Sequence, residues 1–100
     1  MARLDLYRIP GVEGYLLEVQ AAIMDSFATT VVVPLVPLEH GPPPITRLNP
    51  VFAIEGRRYL MLTQSLSAVT RKELAAKTGA LPGACHDDVT DALDMLLCGY

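Results

Sequence analysis

Cys85-His86-Asp87-Asp88 places a thiol, an imidazole and two carboxylates side by side in the chain. A thiolate is the reactive form of cysteine, a helix N-terminus favours it, and a histidine can serve as its base. Sequence neighbours rarely turn their side chains toward one another, however, and neither a fourth ligand nor an oxyanion-binding loop accompanies the set. The simpler reading is a helix start with an acidic first turn, where Asp87 or Asp88 can cap free N–H groups. The remaining candidates also have plain readings. His40, beside Glu39 in a Pro-rich stretch, reads as a solvated loop residue. Met24, Met61 and Met95 read as core filler rather than a soft-metal set. Asp87, Asp88, Asp91 and Asp94 fall on the solvent face of a helix, and Arg57-Arg58 at a hairpin tip. No catalytic residue, metal ligand or cofactor is therefore expected.

The elements that must position any site follow from periodicity. Residues 2–7 alternate polar and apolar, as a half-buried strand does. Pro10-Gly11 marks a turn, and Tyr15-Leu16-Leu17-Glu18-Val19-Gln20 reads as a second strand that pairs with the first. Residues 21–28 contain a bend. Thr29 to Val36 is rich in β-branched residues and is the strongest strand signal. It is expected to be buried on both faces and to end or bulge at Pro34, which lacks an N–H. The segment 37–50 holds five of the eight prolines and reads as an extended loop. Val51–Ile54 and Arg58–Thr63 flank Glu55-Gly56-Arg57 as a hairpin. Ser67–Val69 is a short strand candidate. Thr70 to Lys77 is expected to form a helical turn or two, capped by Thr70, with Glu73 three residues on and Gly79 ending it. Val89, Ala92, Leu93, Leu96 and Leu97 form one apolar stripe of a C-terminal helix, which Gly99 stops.

The chain has 100 residues, 51% hydrophobic and only 19% charged, which excludes a disordered polymer. It reads as one domain spanning residues 1–100. Area scaling gives roughly 5,500 Å² exposed when folded, against about 15,700 Å² unfolded, enough burial for a core without disulfides. The high apolar share points to a covered partner surface, most simply in a homodimer. A net charge of −3 with scattered basic residues argues against direct nucleic-acid binding. Cys85 and Cys98 make neither a CxxC pair nor a disulfide framework. Arg3, Asp5 and Arg8 interrupt any N-terminal apolar run, and no stretch reaches the ~20 apolar residues of a membrane helix. A cytoplasmic location is expected.

Three segments carry a resemblance to the CcdB family of bacterial toxins. Glu18-Val19-Gln20-Ala21-Ala22-Ile23-Met24-Asp25 is similar to that family's Asp-Val-Gln-x-x-Ile-Ile-Asp. Val31-Val32-Val33-Pro34-Leu35 resembles its apolar strand ending in Ile-Pro-Leu. Asp88 to Tyr100 resembles its C-terminal helix, including the penultimate Gly99. The resemblance implies an α+β fold: a small antiparallel β-sheet or SH3-like barrel with a wing hairpin and a C-terminal α-helix, assembled as a homodimer. It implies a non-enzymatic toxin that binds the A subunit of DNA gyrase and traps its cleaved-DNA state, neutralised by an antitoxin with a disordered tail. The target-binding positions carry over onto Ile23, Met24, Asp94 (Asn in the family), Leu97 (Phe), Cys98 (Trp), Gly99 and Tyr100 (Ile). The antitoxin-binding positions carry over onto Arg8, Val12 and Glu13. Cys supplies about a third of the surface of Trp and no indole donor, and Tyr100 supplies an aromatic two positions on.

Two alternatives belong to other classes. The same fold serves ribonuclease toxins such as MazF and Kid, and fold does not fix function. In that case His40, Glu55 and Arg57 are the base, acid and phosphate-contact candidates. The other alternative is an inactive dimer that binds an antitoxin and poisons nothing.

Overall fold

The computed structural model describes residues 3–24, 26–74 and 76–99. Seven strands form one antiparallel sheet: β1 (Asp5–Arg8), β2 (Tyr15–Glu18), β3 (Thr29–Pro37), β4 (Val51–Ile54), β5 (Arg57–Met61), β6 (Ser67–Thr70) and β7 (Lys77–Ala80). Among the described residues there is one α-helix, α1, spanning His86–Cys98. Strand order is β4-β5-β3-β2-β1-β7, with β6 also paired to β3. The sheet curls into a half-barrel with α1 packed on it, the α+β architecture expected. The exposed area is 5681 Å², close to the value that size alone dictates.

β3 organises the sheet. One of its edges pairs with β2, in the register Leu16↔Pro34 and Leu17↔Val33. Its other edge is shared: β6 takes the Thr29–Val32 half and β5 the Leu35–Pro37 half. Pro34 does not end the strand, contrary to expectation. Its carbonyl accepts the Leu62 N–H at 2.9 Å. A strand residue's N and O face the same side, so the missing N–H falls in the gap between β5 and β6, where no ladder bond is lost.

Alternation along these strands builds two different faces. Leu6, Leu17, Val33 and Leu35 point into a core completed by Tyr15, Phe52, Tyr59, Met61 and Leu81, and by Val89 and Ala92 of α1. Tyr15 and Tyr59 meet edge to face at 5.2 Å. The opposite face of β1–β3 carries Asp5, Tyr7, Glu18, Thr30 and Val32, also buried. Arg71 and Lys77 reach over this face, Arg71 to Glu18 and Lys77 to Asp5, each at 3.2 Å.

The β4–β5 connection is a two-residue turn. Glu55 and Gly56 both take positive φ, 51° and 78°, as hairpins of the primed type require. The Pro-rich loop is held although it has few donors of its own. Asn49 Nδ2 donates to the Met61 carbonyl and to Gln64 Oε1, both at 2.9 Å, while Asn49 Oδ1 accepts from the Ile45 N–H at 3.0 Å. Thr63 adds a bond to the Leu48 carbonyl.

Three further expectations are corrected. The predicted helical turns over Thr70–Lys77 reduce to one short turn, Arg71–Glu73, which Thr70 does not cap. The chain then extends as β7 and pairs with β1, Leu6↔Gly79, so Gly79 lies inside a strand. Neither Asp87 nor Asp88 caps α1; Cys85 holds the N-cap position without a side-chain bond. The predicted apolar stripe also divides: Val89 and Ala92 are fully buried, Leu93 and Leu96 half-buried, and Leu97 is exposed. Among the described residues, no helix is long and apolar enough to cross a membrane.

Candidate functional site

Among the described residues, large apolar side chains stand in solvent in several elements, and two of these elements bear positions that the resemblance assigns to the target. The first is the end of α1. Leu97 is 74% exposed, and Asp94, Cys98 and Gly99 beside it are exposed as well. Gly99 takes φ 81°, and its N–H donates to the Asp94 and Met95 carbonyls at 3.2 and 3.1 Å. A Cβ at Gly99 would meet nothing within 4 Å, so glycine is needed here for its left-handed backbone and not for room. No basic residue lies in the last turn. The negative end of the helix dipole and Asp94 therefore make this tip electronegative as well as apolar. Tyr100 lies outside the described residues.

The second element is the turn between β2 and β3. Ile23 is 86% exposed and Met24 39%, and Phe27, which the sequence did not single out, is 53% exposed. Met24 N–H donates to the Ala21 carbonyl and Phe27 N–H to the Met24 carbonyl, at 2.9 and 3.1 Å. Gln20 Nε2 donates to the Met24 and Thr29 carbonyls at 3.5 and 3.3 Å. The structure thus gathers Asp94, Leu97, Cys98 and Gly99 at one tip and Ile23 and Met24 on one ledge. The main contacts of α1 run to the turns Thr63–Ser65 and Gly83–Cys85, so separate elements present the tip and the ledge.

The positions that the resemblance assigns to the antitoxin have different neighbours. Arg8 lies over the Tyr15 ring at 5.2 Å and lines a cleft of about 390 Å³ with Leu6, Ile54, Glu55 and Leu81. Val12 stands 58% exposed at the loop tip. Glu13 is drawn to the β4–β5 hairpin, where Arg57 binds Glu13 at 3.0 Å and Glu39 at 2.6 Å. Gly14 places this loop against the sheet: its φ is 129°, and a Cβ there would strike the Leu35 carbonyl.

The residues suited to chemistry are not assembled for it. Burial, followed by the charge of Asp88, pushes the Cys85 thiol up, the opposite of an activated nucleophile. His86 Nε2 faces Arg3 Nη1 at 3.0 Å. Arg57, the phosphate-contact candidate, is held by two carboxylates, and its hydrogen bonds lower the Glu39 carboxyl from its ordinary range. His40 lies 3.7 Å from Glu13, whereas Glu55 faces the cleft with Arg8. Among the described residues, no His, Cys, Asp and Glu cluster is arranged to hold a metal ion.

Sequence reasoning also missed a buried polar centre. Glu18 is fully buried. Its carboxylate accepts from Tyr7 Oη at 3.2 Å, Thr30 Oγ1 at 2.7 Å and Arg71 Nη1 at 3.2 Å. Burial, then the Glu18 charge, pushes the Tyr7 hydroxyl up to about 12. A carboxylate between Leu17 and Val19 in an apolar strand was the available signal; its partner, more than fifty residues away, had none.

Similarity to known proteins agrees with this architecture. Among solved structures, an endoribonuclease in complex with its cognate antitoxin from Mycobacterial species superposes with a TM-score of 0.78 at 17% identity, over 97% of this chain and 94% of that one. An endoribonuclease from Mycobacterial species gives 0.79 at 16%, over 97% and 90%. Likeness at such low identity speaks for the fold. No curated protein matches the chain significantly. The family model for the CcdB protein matches residues 3–99; with the three sequence segments and the half-barrel closed by a C-terminal helix, this chain belongs to the CcdB family.

Proposed function

We propose that the chain is the toxin of a type II toxin–antitoxin system and acts as a homodimer by binding, not by catalysis. Its target in this reading is the A subunit of DNA gyrase in the state with DNA cut, and a cognate antitoxin neutralises it. The observation that carries the reading is Leu97, an exposed leucine on a helix end that Gly99 fixes. An apolar side chain held rigidly in water is a binding anchor with little ordering cost. Ile23 and Met24 supply the second contact, and Arg8, Val12 and Glu13 the antitoxin contacts. Trapping requires tighter binding to the cleaved complex than to the others, since equal affinity shifts nothing.

A plasmid cleavage assay with purified gyrase and ATP tests this. Linear DNA is expected with the full chain and not with the Gly99-Tyr100 deletion, which should still fold and dimerise. Absence of linear DNA with the full-length chain sinks the gyrase reading. The endoribonuclease neighbours favour a second reading, RNA cleavage. Against it stand the paired cations: Arg57, Arg71 and Lys77 each face a carboxylate. Metal-independent degradation of RNA by the pure protein would reverse that preference.

A further inference from the structure

The buried carboxylate and the exposed ledge are joined by one side chain. Arg71 is 16% exposed, and its Nη1 reaches Glu18 Oε2 at 3.2 Å. Its Nε donates to the Phe27 carbonyl at 2.8 Å, and its backbone N–H donates to the Ala28 carbonyl at 2.9 Å. Two of its donors therefore grip consecutive carbonyls at the foot of the ledge that bears Ile23, Met24 and Phe27. A third rests on Glu18, which Tyr7 and Thr30 hold from β1 and β3. A guanidinium offers its donors in a rigid planar fork, so fixing one fixes the others. A buried carboxylate with three donors has no freedom to follow a moving partner. Among the described residues, the rest of the ledge is anchored by its own short turns and by Gln20.

We propose that Arg71, oriented by Glu18, is a positioning residue that sets the placement of the Ile23–Met24–Phe27 ledge for partner binding. This rests on the ledge being part of the target surface. Arg71→Lys is the incisive variant. Its ammonium keeps the charge beside Glu18, but a lysine lacks the fork that serves Glu18 and the Phe27 carbonyl together.

Amide exchange followed by NMR reads the ledge directly. In Arg71→Lys the Met24 and Phe27 amides should exchange about tenfold faster, the effect of losing one hydrogen bond. Leu17 and Val33 in the core should keep their wild-type rates; a merely structural role would accelerate all four. Affinity for the purified gyrase target should fall about tenfold in the same variant. Ledge amides that exchange at the wild-type rate would overturn the proposal. Ile23→Asp separates the two layers of argument. If it binds gyrase as wild type does, the ledge is not the target surface, and the exchange data alone decide the clamp. Should Arg71→Lys fold poorly, Glu18→Gln/Arg71→Met removes both charges together, a change buried pairs often tolerate, and the same amides are read.

Discussion

The helix tip and the ledge both expose apolar side chains, yet they are held by opposite means. Val89 and Ala92 secure α1 by apolar burial in the core, and Gly99 ends it with two backbone bonds. The ledge is secured by a carboxylate, a guanidinium, a phenol and a hydroxyl with no exposure at Glu18. Apolar anchoring is graded, because each methylene removed lowers stability by a limited amount. Polar anchoring in the interior fails abruptly, because removing one partner strands the others in a place without water. The tip should therefore tolerate trimming that the ledge does not.

Substitutions can break this contrast in descending order. Glu18→Ala removes the buried carboxylate that accepts from Tyr7, Thr30 and Arg71 and should lower stability by about 3–5 kcal/mol in urea unfolding. Val89→Ala, at the corresponding anchor of the tip, should lower it by only about 2 kcal/mol. Equal losses would erase the distinction. Gly99→Ala has room for the methyl but not for the backbone, and about 1 kcal/mol is expected from the left-handed φ alone.

Leu97→Ala should change stability by less than about 0.5 kcal/mol while abolishing plasmid linearisation. A large stability loss there would mean that Leu97 packs in the monomer after all.

The Tyr7 hydroxyl offers a pH test of the polar anchor. Its folded value, about 12, lies above the ordinary 10.0, so the folded state holds the proton more tightly. That stability is fully present below pH 10 and is lost as pH rises from 10 toward 12. Tyr7→Phe should remove this part of the alkaline loss, seen as a flatter urea midpoint against pH. An unchanged slope would show that the folded state does not hold the Tyr7 proton more tightly than the unfolded state.

Much of this was legible in the sequence because it repeats. The strand from Thr29, the hairpin around Gly56 and the stripe from Val89 announce themselves by β-branching, turn chemistry and period, although the strand runs through Pro34 to Pro37 where an end or bulge was expected. β7 did not. Lys77-Thr78-Gly79-Ala80 has neither alternation nor apolar bulk, and only its pairing with β1 makes it a strand. The Thr70–Glu73 capping pattern pointed to helix, and tertiary pairing overrode it. The tip residues were legible through family resemblance and the Gly99 stop. Phe27 and the Glu18–Arg71 link were not, since a single charged residue carries no information about a distant partner. Leu97 shows a further limit: period assigns a side chain to a face, but not how far the supporting sheet extends beneath it.

The pairing of β1 with β7 also has a consequence for the order of events during synthesis. β1, β2 and β3 are neighbours in the chain and can pair as soon as they leave the ribosome. The outer edge of β1 must wait for residues 77–80, on the order of ten seconds at ordinary elongation rates. During that interval it is an open edge, inviting pairing with other nascent chains. Asp5, whose carboxylate Lys77 meets only when β7 arrives, is an inward-facing charge on that edge. A stranger strand that paired there would not bring Lys77 to that carboxylate. The carboxylate that meets Lys77 in the finished sheet thus guards the edge while it is unfinished.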